Sequence, residues 1–218
     1  PTVSSAPYSI APGPDGDVWF TEEATNKVAK VNDAGIVTEY TVPTAASTPT
    51  GIANAGYYLY FTEFNGNKIG YMNFDATFLV DYAIPTPSAQ PLGVVAAPDG
   101  SAWFTESGAN KIGQYSYPSI WHEYAVPSGG SPQQIVNGPD GNLWFTELSG
   151  KVGKITPAGV ITEYTLPTPR VGIDSGCGGN PRLTDTVCGP GTSDAVRPAA
   201  VFRGPRHTAP PSRSQAHR

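Results

Sequence analysis

Gly138-Pro139-Asp140-Gly141-Asn142-Leu143-Trp144-Phe145-Thr146-Glu147 is the stretch that decides the fold. Pro-Asp-Gly suits a tight hairpin turn, because Pro presets φ and Gly accepts a positive φ. Leu143-Trp144-Phe145 then places large apolar residues at consecutive positions. A strand with one wet face alternates apolar and polar residues, whereas an unbroken apolar run is covered on both faces. The stretch predicts a short strand, entered through a hairpin and sandwiched between two neighbours.

The same pattern recurs along the chain. Phe-Thr-Glu occurs at 20–22, 61–63, 104–106 and 145–147, preceded by Trp19, Tyr60, Trp103 and Trp144. Pro-Asp-Gly comes before it at 14–16, 98–100 and 139–141. A Lys follows (Lys27, Lys68, Lys111, Lys151), then an acidic-Tyr pair (Glu39-Tyr40, Asp81-Tyr82, Glu123-Tyr124, Glu163-Tyr164), then a closing Pro (Pro43, Pro85, Pro127, Pro167). Self-similarity at a fixed period of 20–50 residues marks a repeat architecture. The unit divides the chain into about 1–43, 44–85, 86–127 and 128–169. Each unit reads as four short strands, in the first copy Pro7–Ile10, Val18–Thr21, Val28–Val31 and Ile36–Tyr40. No segment has a helical period. A two-sheet sandwich would leave one face of every sheet wet, so the expected fold is all-β, made of β-propeller blades stacked face to face.

The motifs at 138–147, at 161–169 (Ile-Thr-Glu-Tyr-Thr-Leu-Pro-Thr-Pro) and at 66–70 (Gly-Asn-Lys-Ile-Gly) resemble those of the virginiamycin B lyase, or streptogramin lyase, family. The resemblance covers about residues 1–169. It implies a seven-bladed propeller, of which four blades are present here. It also implies a carbon–oxygen lyase that confers antibiotic resistance by opening cyclic streptogramin B compounds at their ester, by elimination. A His general base and a Mg²⁺ ion at one channel mouth are part of that implication. The family's His sits in a Pro-His-[Gly/Ala]-Ile signature at the start of a blade. The matching slots here hold Tyr8, Thr50, Leu92 and Gln133, none of which can serve as such a base near neutral pH. Glu22, Glu63, Glu106 and Glu147 occupy the slot of the family's metal-binding Glu.

Read from the residues alone, those four Glu have two explanations. They form a carboxylate ring for a hard cation, or each pairs with the Lys after it in a hairpin. His122 falls on a fourth, outermost strand, where a surface or packing role is expected. Tyr57, Tyr58 and Tyr60, with Tyr115, Tyr117 and Trp121, enrich the second and third units; they reflect ordinary repeat divergence with packing inside the blades, or else offer flat surfaces for a sugar or other flat ligand. A net charge of −5 argues against nucleic acid as a partner. No apolar run approaches the ~18 residues of a membrane span. No phosphate loop, zinc-spaced Cys set or nucleophile elbow occurs.

Composition breaks near residue 170. Every Lys, Trp and Tyr precedes it, while every Arg and both Cys (Cys177, Cys188) lie at or beyond it. Residues 170–218 are poor in aromatics and rich in Arg, Pro, Gly and Ser, which predicts a disordered tail, natural or produced by a frame shift. Pro1 in place of Met points to a processed or trimmed chain, and few charges with much Thr and Tyr lean towards a secreted or periplasmic protein. Four blades in an open arc leave two uncovered faces of at least roughly 300 Å² each, so the chain is expected to pair with another copy, to remain an open and fragile arc or to close as four blades. The expected function is a catalytically incomplete binding or interaction scaffold. The alternatives are a Mg²⁺-dependent lyase whose catalytic blades are missing, and a glycan-binding propeller. Sequencing the encoding DNA from the Arg170 codon checks the frame shift: another frame is expected to resume the Phe-Thr-Glu repeat, and its absence from all frames would make the tail natural.

Overall fold

The computed structural model describes residues 2–14 and 16–167. The break at 170, the tail beyond it and both Cys lie outside the described residues. Among the described residues, sixteen strands form four antiparallel sheets, each a four-stranded meander. The first sheet contains β1 (Pro7–Pro12), β2 (Val18–Glu22), β3 (Lys27–Val31) and β4 (Val37–Thr41). The second contains β5 (Pro49–Asn54), β6 (Tyr58–Glu63), β7 (Lys68–Asn73) and β8 (Leu79–Ala83). The third contains β9 (Pro91–Ala96), β10 (Ala102–Glu106), β11 (Lys111–Ser116) and β12 (Ile120–Ala125). The fourth contains β13 (Pro132–Asn137), β14 (Leu143–Glu147), β15 (Lys151–Ile155) and β16 (Ile161–Thr165). Gly16, Gly100 and Gly141 turn the first hairpin of their sheets at positive φ (86°, 83° and 75°), as the Pro-Asp-Gly reading requires.

Every sheet has a Trp face (in the second sheet a Tyr60 face) and a Phe face, because the two aromatic residues are adjacent on the second strand and side chains alternate along it. The Trp face of one sheet packs on the Phe face of the next. Trp19 and Val28 meet Phe61 and Ile52; Tyr60 and Ile69 meet Phe104 and Val94; Trp103 and Ile112 meet Phe145 and Ile135. There are thus three apolar cores, one per junction. Within its own sheet the Trp stacks on the Tyr of the acidic-Tyr pair, with ring centroids 5.6 Å apart for Trp19–Tyr40 and 5.5 Å for Trp103–Tyr124. On the opposite face the Phe ring lies flat across the third strand, over Gly70, Gly113 and Gly153 in the last three sheets. A Cβ on Gly113 would fall 2.2 Å from the Phe104 ring.

The Thr of Phe-Thr-Glu ties neighbouring sheets together. The first strand of each sheet bulges at its start, which interrupts its ladder with the second strand. There the backbone N–H of Ser9, Gly51, Gly93 or Gln134 donates instead to the hydroxyl of Thr21, Thr62, Thr105 or Thr146 (2.7–3.2 Å). Three of these hydroxyls then donate to a carbonyl of the next sheet's first strand: Thr21 to Thr50 (2.5 Å), Thr62 to Leu92 (2.6 Å) and Thr105 to Gln133 (2.7 Å).

The innermost strands β1, β5, β9 and β13 pack in chain order, each on the next, and β13 makes no such contact with β1. The four sheets therefore form an open arc. Its ends explain why the second strands differ in burial. β10 is buried throughout and β6 throughout except Tyr58, whereas β2 and β14 are covered fully on one face only.

Two substitutions test these junctions by chemical denaturation. Thr105→Val is expected to cost about 1–3 kcal/mol, because it leaves a buried Gly93 N–H without its acceptor. Gly113→Ala is expected to cost about 1–3 kcal/mol by forcing the Phe104 ring out of place.

Candidate functional site

One rim of the arc collects the repeat's polar residues. The register Pro7↔Glu22, Glu22↔Lys27 and Lys27↔Thr41 brings the start of the first strand, the Glu of Phe-Thr-Glu, the Lys and the end of the fourth strand to the same edge. The expected hairpin pairing of that Glu with that Lys is corrected here. Each Lys instead reaches across its own strand to the acid of the fourth: Lys27–Glu39 (2.6 Å), Lys68–Asp81 (2.8 Å), Lys111–Glu123 (3.0 Å) and Lys151–Glu163 (3.4 Å). The outer strand lets the ammonium group keep part of its hydration, while the Glu lies too deep for that. The residues after Pro43, Pro85 and Pro127 complete the network of the following sheet. Thr44 and Thr86 accept from their Lys at 2.6 Å and donate to the carboxylate at 2.7 Å, and the Ser128 N–H donates to Glu163 (3.1 Å).

Glu22, Glu63, Glu106 and Glu147 are all buried. Glu22 accepts from Thr25 (2.8 Å), and Glu147 accepts from Ser128 and Ser149 through one oxygen. Neither oxygen of Glu63 or Glu106 has a hydrogen-bond partner among the described residues. Burial pushes Glu63 up to about 7, and the charge of Asp81 adds to the effect. Burial and the charge of Glu123 push Glu106 up to about 8. Asp81 and Glu123 are also pushed up by burial, but hydrogen bonds from Lys and Thr outweigh this and hold both below the usual carboxylate range. The second and third sheets thus each hold one carboxyl that favours its neutral form beside one that stays ionised. Such a split marks acid–base machinery when a substrate can reach it. Here Glu63 and Glu106 have no exposed surface, and the arrangement repeats from sheet to sheet.

The four Glu lie one to a sheet, on β2, β6, β10 and β14. Among the described residues no three His, Cys, Asp or Glu side chains lie close enough together to hold a metal ion.

The four slots of the family His lie at the start of β1, β5, β9 and β13. Tyr8 is exposed at the end of the arc, and Thr50 is buried against the Thr62 hydroxyl (2.8 Å). Leu92 is half-buried, and the Gln133 amide donates to Ser107 (2.9 Å) and to the Ser131 carbonyl (3.0 Å). His122 sits on β12, the outermost strand of its sheet, beside Tyr124.

Two features were missed in the sequence. Asn26, Asn67 and Asn110, each just before the Lys, sit at positive φ (55–58°). Their amides bind both sides of the linker to the next sheet: Asn67 donates to the Ile84 and Thr86 carbonyls and accepts from the Ala89 N–H (2.7 Å). The in-phase Asn-Lys pair was the available signal. The second feature is the sheet-to-sheet bond of Thr21, Thr62 and Thr105, signalled by a Thr present in all four copies.

The aromatic residues of the second and third sheets separate into two sets. Trp121 packs against Tyr115 (4.7 Å) and Phe104 and belongs to the junction core. Tyr58, Tyr71, Asn73, Phe78 and Tyr117 line an open groove of about 390 Å³. Within it, Tyr71 stacks between Tyr58 (4.6 Å) and Tyr117 (5.9 Å).

Four-stranded meanders stacked face to face around innermost first strands define a β-propeller arc. Residues 1–180 match the virginiamycin B lyase family, and the chain belongs to that family. It is 34% identical over 173 residues to a virginiamycin B lyase of Nocardia farcinica, a match covering 78% of this chain and 58% of that one. Among solved structures it is similar to virginiamycin B lyase from Staphylococcus aureus, at 38% identity and a TM-score of 0.73, covering 78% of this chain and 58% of that one. A catalytically inactive His-to-Ala variant of that enzyme with quinupristin matches at 36% identity and a TM-score of 0.74, with the same coverage. The chain therefore spans a little over half the length of these relatives.

The buried carboxyls set a pH dependence of stability. The folded pKa values of Glu63 and Glu106 are raised, so their stabilising effect is complete below pH ~4.3 and is lost as pH rises through 7 to 8. Asp81 and Glu123 act oppositely, and their effect is lost as pH falls below the normal carboxylate range. From these groups the melting temperature is expected to peak near pH ~4–4.5, to fall as pH rises to about 8 and to level off above it. Glu106→Gln is expected to raise it at pH ~8 and to flatten that fall; an unchanged profile would mean that Glu106 ionises freely in the fold.

Proposed function

We propose that the four-sheet arc is a non-catalytic binding or interaction scaffold built on the streptogramin lyase fold. The observation that carries this reading is the set of residues in the family's His slots. Opening an ester by elimination requires a base to take a carbon-bound proton as the C–O bond breaks. Tyr8, Thr50, Leu92 and Gln133 offer no such base, and Thr50 and Gln133 are already tied into the hydrogen bonds of the sheets. His122 lies on an outermost strand, away from the first strands where the slots lie. Within this reading, the Tyr58–Tyr71–Tyr117 groove is the surface best suited to a small ligand with a flat apolar face, such as a sugar ring.

The rival reading is a streptogramin B lyase whose catalytic blades are supplied elsewhere. Identity of 34–38% to lyases of two bacteria favours it. Incubation of the 218-residue chain with a streptogramin B and Mg²⁺, followed by chromatography and fragment mass spectrometry, tests whether these four sheets are catalytic by themselves. Elimination opens the ring without changing its mass, and hydrolysis adds water. Unchanged antibiotic is expected, and a ring-opened isomer would overturn the scaffold reading. For the groove, a glycan that binds the chain is expected to lose binding on Tyr58→Ala and to keep it on Trp121→Phe.

A further inference from the structure

The second sheet departs from the repeat on the rim opposite its buried Glu. In the first and fourth sheets the Trp of the second strand pairs with a Lys of the third, and that ammonium group lies over the ring: Lys30 over Trp19 (5.4 Å) and Lys154 over Trp144 (5.7 Å). At the same register the second sheet pairs Tyr60 with Tyr71, and the third pairs Trp103 with Gln114. Two of these aromatic faces thus receive a cation from their own sheet, and the other two have no Lys at that position. Tyr58 pairs with Asn73, at the far end of β6 from Glu63, so this rim is not the one that carries the family's His slots.

A hollow of about 290 Å³ opens on that rim between the second and third sheets. Its walls include Tyr57, Tyr58, Tyr71 and Tyr117, and its one charged lining residue is Asp99, with Gly100 beside it. Tyr71 stands nearly parallel to Tyr58 (29°) and to Tyr117 (17°), while Tyr117 (60%) and Tyr57 (86%) remain exposed. Asp99 is exposed as well. Its Oδ1 accepts from the N–H (3.0 Å) and the hydroxyl (2.6 Å) of Ser101, and its Oδ2 accepts nothing from the described residues. The equivalent Asp140 of the fourth sheet is engaged through both oxygens, Oδ1 accepting from the Trp144 indole (3.0 Å) and Oδ2 from the Asn142 amide (2.8 Å). In the third sheet the Trp103 indole donates to Ser101 instead (3.1 Å), which leaves Asp99 an oxygen for a ligand.

We infer that this hollow holds the guanidinium group of an arginine side chain presented by a partner protein, stacked on the tyrosine wall and hydrogen-bonded at its edge to Asp99. The wall is shared with the groove proposed above, so the inference rests on that wall being a ligand surface. The negative faces of aromatic rings attract cations, and the one fixed charge in the hollow is negative. A guanidinium is flat and weakly hydrated and carries its donors in its plane, so it lies against a ring and still reaches a carboxylate. An ammonium group is compact and strongly hydrated, and gains less from a flat wall. The volume is at the lower limit of the roughly 300–1,000 Å³ of sites for whole drug-sized ligands, which suits one head group on a longer chain. A net charge of −5 on the chain adds to the attraction of a basic partner.

The test is a chemical-shift titration of the isotope-labelled full chain, at constant ionic strength, with the blocked peptide acetyl-Gly-Arg-Gly-amide and its citrulline and lysine counterparts. Citrulline keeps the planar head group without the charge, and lysine keeps the charge without the plane. The arginine peptide is expected to shift the backbone amides of Tyr58, Gly100 and Tyr117, and to bind about tenfold more tightly than the citrulline peptide and about threefold more tightly than the lysine peptide. Asp99→Asn is expected to weaken it about tenfold, and Tyr117→Leu, which keeps apolar bulk but removes the ring, about fivefold. Asp33→Asn makes the same charge change on the first sheet and is expected to leave binding unchanged; circular dichroism confirms that each variant is folded. No saturable shift at the three amides would overturn the proposal. So would citrulline or lysine peptides that bind as tightly as arginine, or Asp99→Asn that binds as tightly as wild type. Free arginine that binds more tightly than the peptide would overturn the protein source. A glycan titrated in parallel reports through Asn73 and Phe78, which line the groove alone. Glycan binding without arginine binding would overturn this inference only, and failure of both would overturn the groove with it.

Discussion

A propeller sheet has two apolar faces and no inside of its own, so each sheet depends on having a neighbour on both sides. The Trp-on-Phe junction meets that constraint three times in this chain. Its parts are interdependent. The Phe ring lies flat because a Gly on the third strand makes room for it. The Trp is held upright by a Tyr two strands away. The bulge that frees a backbone N–H is satisfied by the same Thr that reaches the next sheet. Packing and hydrogen bonding therefore converge on one short motif, and that motif has to recur intact.

The polar rim is a second layer of the same logic. The Lys–acid–Thr network and the Asn clamp join the outer strands and the linkers, so that each sheet is fixed near the axis by Thr and near the periphery by Lys and Asn. Burying Glu63 and Glu106 within this framework moves their titration towards neutrality. Perturbed carboxyls are a common sign of catalysis, but repetition and lack of exposure give these a structural explanation.

Sheet number, strand order and the hairpin turns were legible in the sequence, because they rest on local signals: Pro-Asp-Gly, the unbroken apolar second strand and the fixed period. The extension of strands by a residue or two was not, since strand ends depend on pairing and not on residue type. The candidate site was legible as a set of positions but not as a set of contacts. Glu22 and Lys27 face each other in register, which suggested a pair, and only the depth of the Glu diverts the Lys to Glu39. Trp121 and Tyr58 look equivalent as aromatics near turns; one closes a core and the other lines a groove. The function of Thr21, Thr62 and Thr105 was hidden because it joins residues about 30 positions apart.

The joint between sheets carries no information about how many sheets there are. Thr21, Thr62 and Thr105 make the same bond to the same place on the next strand, wherever they lie in the chain. A gene built from such units can gain or lose one by duplication or deletion without any new contact having to be invented. Copy number is then set by curvature and closure of the whole ring, a global condition that no single unit records.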